Sequence, residues 1–127
     1  MSKTIIKTDK APAPIGPYNQ AIVAGGLLYI SGQVCIDPAT GELNDKDLAA
    51  ETRQVMDNLK AILDEAGSDF SKVIKTTIFL TDMKRFAEVN EIYGSYFTGD
   101  YPARETVQVS ALPKFVNVEI SMIAALS

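Results

Sequence analysis

The chain contains no histidine and no tryptophan, and a single cysteine among its 127 residues. Without imidazole, proton transfer near neutral pH falls to carboxylates, tyrosine, lysine, cysteine or water, and every histidine-based triad is excluded. A metal site would have to be built from carboxylates, yet no acidic loop shows regular ligand spacing, so no metal is expected. Cys35 has no partner for an internal disulfide. It lies in the apolar run Gln33-Val34-Cys35-Ile36 and reads as a buried, inert thiol.

Long hydrophobic runs are also missing. No apolar stretch approaches the ~20 residues that span a bilayer, and Met1–Lys10 lacks the apolar segment of a secretory signal. A cytoplasmic location without membrane contact is therefore expected. Positive charge is in the minority, with 12 Lys and Arg against 16 Asp and Glu and a net charge of −4. That balance gives no broad attraction for phosphate backbones, so nucleic acid is not the expected partner.

What is present is ordinary globular chemistry: 46% of residues are hydrophobic and 22% charged. The length suits one domain over residues 1–127. Thr4–Lys7, Gln20–Val23 and Leu27–Val34 read as strands, with Gly25-Gly26 as the turn between the last two. After the turn-rich Asp37-Pro38-Ala39-Thr40-Gly41, Asp45 or Asp47 is placed to cap a helix. Its apolar stripe is Leu48, Thr52, Val55, Leu59, Ile62, Leu63 and Ala66, and Gly67 ends it. Val73–Thr81 reads as a long strand, and Asp82 as the cap of a second helix with Phe86, Val89, Tyr93, Tyr96 and Phe97 on one stripe. Arg104–Ala111 and Val116–Ala125 are two further strands, which Leu112-Pro113-Lys114-Phe115 joins as a hairpin.

This order predicts an α+β layer with both helices on one sheet face. Alternation points Leu28, Ile30, Val34, Ile74, Ile78, Leu80, Val107, Val109, Val118 and Ile120 towards the helices. Tyr29, Ser31, Gln33, Lys75, Thr77, Phe79, Arg104, Thr106, Gln108, Glu119 and Ser121 then share the other face. That face mixes aromatic and polar groups, which suits cover by another subunit.

Arg104, at a strand start after Tyr101-Pro102-Ala103, is the best anion binder by type, although most arginines are simply solvated. Glu119, amid Val118 and Ile120, is placed to hold or activate water, or else is a salt-bridged strand glutamate. In a regular hairpin Gln108 faces Glu119 and Arg104 stands four rungs away, roughly 13 Å. Either a bulge shortens that gap, a substrate and water fill it, or the pair comes from different subunits. Ile15–Gln20 carries Tyr18, whose hydroxyl suits a small ligand or a plain rim position. Ser31-Gly32-Gln33 ends a strand, where a glycine admits a ligand or forms a bulge. Asn90, between Phe86 and Tyr93, is expected part-buried as a helix-to-strand tether or a cleft residue.

Taken together these segments resemble the Rid family, also called the YjgF family, over essentially the whole chain. The resemblance rests on Ala13–Gln20, Ser31-Gly32-Gln33 with Asp37-Pro38 and Thr40-Gly41, Phe86–Asn90 with Tyr93 and Phe97, Pro102-Ala103-Arg104, Leu112-Pro113-Lys114 and Val118-Glu119-Ile120. It implies a chorismate-mutase-like α+β fold, a mixed β-sheet with two helices on one face, assembled as a homotrimer around a central β-barrel with sites between subunits. It further implies a cofactor-independent deaminase. Such an enzyme hydrolyses 2-imino acids such as 2-iminobutanoate and 2-iminopropanoate, released by pyridoxal-phosphate-dependent dehydratases, to 2-keto acids and ammonia. By resemblance, Arg104 holds the substrate carboxylate and Glu119 positions the attacking water, while Tyr18, Ser31, Gly32, Asn90 and Thr106 line the cleft. Many similar chains carry cysteine two residues after the arginine, where this one has Thr106, so regulation through a thiol is not implied. A non-catalytic protein that binds small carboxylates such as 2-keto acids is the alternative, and retention of Glu119 favours catalysis. A ribonuclease role fits the acidic balance and the missing histidines poorly.

Overall fold

Gly25 and Gly26 both sit at positive φ, 60° and 79°, a region closed to most side chains, and turn strand β2 (Ala21–Ala24) back on β3 (Leu27–Gln33). The computed structural model describes residues 2–126. Strand β1 (Thr4–Ile6) precedes this hairpin, and α1 (Leu48–Glu65), β4 (Val73–Leu80), α2 (Phe86–Gly94), β5 (Ala103–Gln108) and β6 (Val118–Ala125) follow it. All six strands form one mixed sheet in the order β1-β2-β3-β6-β4-β5.

Helix α1 forms where the sequence predicts. Asp47 accepts a hydrogen bond from the Ala50 N–H at 2.7 Å, and the last turn closes with Ser68 N–H donating to Leu63 O and Gly67 N–H to Asp64 O. Its stripe of Leu48, Val55, Leu59, Ile62 and Leu63 is buried against the sheet residues Leu28, Ile78, Leu80, Val118 and Ile120. Each fully buried aliphatic side chain of this kind contributes about 1.5–3 kcal/mol. Asp82 caps a short turn, Met83–Arg85, that leads into α2. The Tyr93 hydroxyl then donates to Thr76 Oγ1 of β4 at 3.0 Å and ties α2 to the sheet. No helix among the described residues is long and apolar enough to cross a membrane.

Four expectations about the sheet are corrected. Strands β5 and β6 are not a hairpin: β5 lies at the sheet edge parallel to β4, and β6 runs between β3 and β4, antiparallel to both. Residues 112–117 therefore carry the chain across the end of β4, where Thr81 N–H donates to Asn117 O.

The faces of β5 are also the reverse of the prediction. Arg104, Thr106 and Gln108 stand level with Thr76, Ile78 and Leu80 on the helix side, while Val107 is level with Phe79 on the far face, 43% exposed. Ile74, expected inside, falls in an irregular stretch of β4 and is 47% exposed. Finally, β3 bulges after Ile30, so Gln33, expected on the far face, pairs with Ile120 and is buried, while Val34 is buried in the core as expected.

Candidate functional site

Glu119 projects from β6 into a cleft of about 320 Å³ lined by Ile15, Tyr18, Ser31, Gly32, Val34 and Pro113. The β3 bulge opens this cleft, and Gly32 within it lies directly against the Glu119 carboxylate. Burial pushes the Glu119 carboxyl above the ordinary glutamate range. The Tyr18 oxygen accepts from the Ile15 N–H at 3.2 Å, which leaves its own proton for another acceptor. Ser31 is more committed: its hydroxyl donates to Asn19 O at 2.6 Å and its N–H to Gln20 O at 2.9 Å, so towards a ligand Ser31 Oγ only accepts.

The backbone that carries Tyr18 is fixed from the core side. The buried Gln20 amide accepts from Thr8 N–H and donates to Thr8 O, Ala11 O and Pro12 O at 2.8–3.2 Å. These bonds fasten residues 8–12 to the start of β2, next to the pairing of β1 with β2.

Arg104 occupies a second cleft of about 750 Å³, with Asn90, Glu91, Tyr93, Gly94, Ser95, Tyr101 and Pro102. Its guanidinium carbon stands 5.3 Å from the Phe86 ring centroid and 5.2 Å from that of Tyr93, and its Nη1 donates to Asn90 Oδ1 at 2.8 Å. Two ring faces and one amide hold the head group in place, and the remaining N–H donors of the fork stay available for a carboxylate. Asn90 is exposed rather than part-buried, and it is the helix-to-strand tether that its spacing suggested. Arg104 forms no ion pair among the described residues.

One chain does not bring Arg104 and Glu119 together. They stand on opposite faces of the sheet, two strands and three residues apart along the ladder, roughly 14 Å between backbones. Tyr18, Ser31, Gly32 and Glu119 share one cleft, and Asn90 and Arg104 the other. Thr106 lines neither. It stands between Arg104 and Gln108 on the helix side, and its buried Oγ1 has no hydrogen-bond partner among the described residues. The caging role of Phe86 and Tyr93 went unread because they are also stripe residues of α2. Their spacing around Asn90 was the available signal.

No group of three or more His, Cys, Asp or Glu suited to a metal ion occurs among the described residues. The mixed sheet with two helices is an α+β fold of the YjgF type. The family profile described as Endoribonuclease L-PSP matches residues 8–126, and the chain belongs to this family, the Rid family of the resemblance above. The mouse 2-iminobutanoate/2-iminopropanoate deaminase is 50% identical over 122 residues, covering 96% of this chain and 90% of the mouse protein. The crystal structure of YyfA, a Rid family protein of Yersinia pestis, superposes with a TM-score of 0.95 at 50% identity, covering 98% of this chain and 99% of that one. Escherichia coli TdcF, crystallised with bound serine, gives a TM-score of 0.93 at 42% identity, covering 98% and 99%.

Proposed function

We propose that this protein is a cofactor-independent deaminase of small 2-imino acids, working as a trimer in the cytoplasm with each site shared between two copies. The observation that carries the reading is the division of the site: a caged guanidinium at one sheet edge and a half-buried carboxylate on the opposite face. Neither half is sufficient for an imino acid, and the exposed far face, with Tyr29 and Val107, is suited to meeting a second copy. The mouse relative's name supports the same chemistry.

Arg104 grips the substrate carboxylate with the donors that Asn90 leaves free. The imine carbon then lies against Glu119 of the neighbouring copy, whose carboxylate orients a water and accepts its proton. The water oxygen bonds to the imine carbon, the nitrogen gains protons, and the C–N bond breaks to leave a 2-keto acid and ammonia. The Tyr18 hydroxyl and the Gly32 backbone complete the polar lining. Thr106 stands two residues from Arg104 on the same face of β5 and outside both clefts of the single chain. A dehydratase acting on serine or threonine is the natural source of such imines.

The test couples an imine-generating dehydratase to the purified protein and follows keto-acid release. Wild type accelerates release, while Arg104→Ala and Glu119→Ala do not. A second reading, non-catalytic binding of a small carboxylate, draws on the bound serine of E. coli TdcF. Saturable binding by a folded wild type that leaves imine decay unchanged would establish it instead.

A further inference from the structure

Glu51 of α1 is 0% exposed and makes no ion pair among the described residues. Its Oε2 accepts from the backbone N–H of Asn117 at 2.7 Å and of Val118 at 2.9 Å, and its Oε1 accepts from Asn117 Nδ2 at 2.9 Å. These donors mark the entry to β6, immediately before Glu119. On this side β3 has run out, because its last pair is Gln33 with Ile120. On the chain's other flank, Lys114 and Phe115 hold left-handed backbone at φ 57° and 56°, a conformation that persists only where its surroundings enforce it. A carboxylate thus takes the place of a missing strand between a strained turn and Glu119.

Burying a carboxylate without a cation costs more than burying an apolar side chain of the same size. Stability alone is poorly served by it. A fixed acceptor for two strand N–H groups is a matter of position. We infer that Glu51 is a positioning residue for Glu119: it clamps Asn117 and Val118 from within the core and so fixes where the neighbouring carboxylate points. This rests on the reading of Glu119 as the water-holding group. Among the groups near enough to feel the Glu51 charge are Cys35, whose thiol is also near Asp45, and Arg85. In the Glu119 cleft the other titratable side chain is Tyr18.

Two substitutions separate position from packing. Glu51→Met keeps the apolar bulk and leaves both N–H groups without an acceptor. Glu51→Gln keeps one oxygen for both, and its amide donates to Asn117 Oδ1 once that side chain turns over. Glu51→Met is expected to lower kcat by about tenfold or more with KM within about threefold, and Glu51→Gln to restore kcat. Carbon-13 titration of the Glu119 carboxyl gives a readout independent of turnover. In Glu51→Met the loosened strand admits water, and the carboxyl titrates closer to its ordinary 4.5. In Glu51→Gln it returns to the wild-type position.

A folded Glu51→Met variant with wild-type kcat and wild-type Glu119 titration overturns the inference. If Glu51→Met does not fold, Glu51→Asp, which shortens the reach by one methylene and keeps the charge, is judged by the same two outcomes. A wild type without deaminase activity would sink the proposed function alone, and the carboxyl titration would still decide the role of Glu51.

Discussion

A Cβ on residue 32 would lie 2.8 Å from Cδ of Glu119 and 3.0 Å from its Cγ, closer than non-bonded carbon atoms pack. Gly32 is therefore a glycine because of Glu119. Gly32→Ala is expected to push the carboxylate aside and lower deaminase turnover by about 100-fold, the usual cost of a displacement near 1 Å. Turnover assays beside a thermal melt check this, and full activity in the alanine variant refutes it.

Burial raises the Glu119 pKa above 4.5, so just above that pH the folded chain keeps a proton that the unfolded chain has released. The contribution of this group to stability is therefore present at low pH and lost as pH rises from 4.5 through the folded value. Glu119→Gln should melt higher than wild type at neutral pH, with the difference vanishing below pH 4.5. In wild type the acidic limb of the rate profile should lie above 4.5. A limb below it would contradict the assignment.

The cage around Arg104 predicts a penalty for changes that keep the charge. Lysine cannot stack between Phe86 and Tyr93 or present a planar fork, so Arg104→Lys should raise KM by about tenfold or more. Phe86→Leu, which removes one ring face, should raise it by roughly threefold to tenfold. Steady-state kinetics of both variants settle the matter, and an unchanged KM in either would mean that the rings only pack.

If each site draws Arg104 from one copy and Glu119 from the next, two inactive variants rescue each other. Arg104→Ala and Glu119→Ala, unfolded together and refolded as mixed trimers, should recover about a quarter of wild-type activity, as random assembly dictates. No recovery from well-mixed trimers would place both groups of a working site in one chain.

Cys35 is fully buried, and burial, with Glu51 and Asp45 nearby, pushes its thiol up to about 11. Native protein should resist iodoacetamide at pH 8 while denatured protein is alkylated, as mass spectrometry would read directly. Fast labelling of the folded chain would show that the thiol is reached.

The α1 stripe and the alternation of β6 were legible in the sequence because each has one apolar side and one polar side. Strand β5 was not. Its lone apolar residue among Arg104–Gln108 is Val107, and inward burial was assumed for it, whereas β5 is an edge strand whose far face is itself apolar in part. The parallel placement of β5 was hidden because Leu112–Phe115 has the composition of a hairpin turn. In fact it is a turn with left-handed backbone at Lys114 and Phe115 that carries the chain past the end of β4. Reversing the β5 faces put Arg104 and Glu119 on opposite sides of the sheet, so the hairpin register behind the 13 Å separation does not apply. Glu51 is hidden by its residue type, since an acidic side chain reads as solvated, although its position three residues after Leu48 and four before Val55 sets it on the apolar stripe.

The strand order has one more consequence, for how the molecule is made. Strand β6 is the last of the six in chain order, yet it lies between β3 and β4, and it bonds the β1–β3 half of the sheet to the β4–β5 half. As the polypeptide leaves the ribosome, the two halves stay unjoined until β6 emerges. Pairing across some ninety residues of intervening chain is slow to nucleate. Glu119 sits on that final strand, so the cleft it lines is completed in the same late event that closes the sheet, and a truncated or stalled chain would carry the arginine cage without its carboxylate.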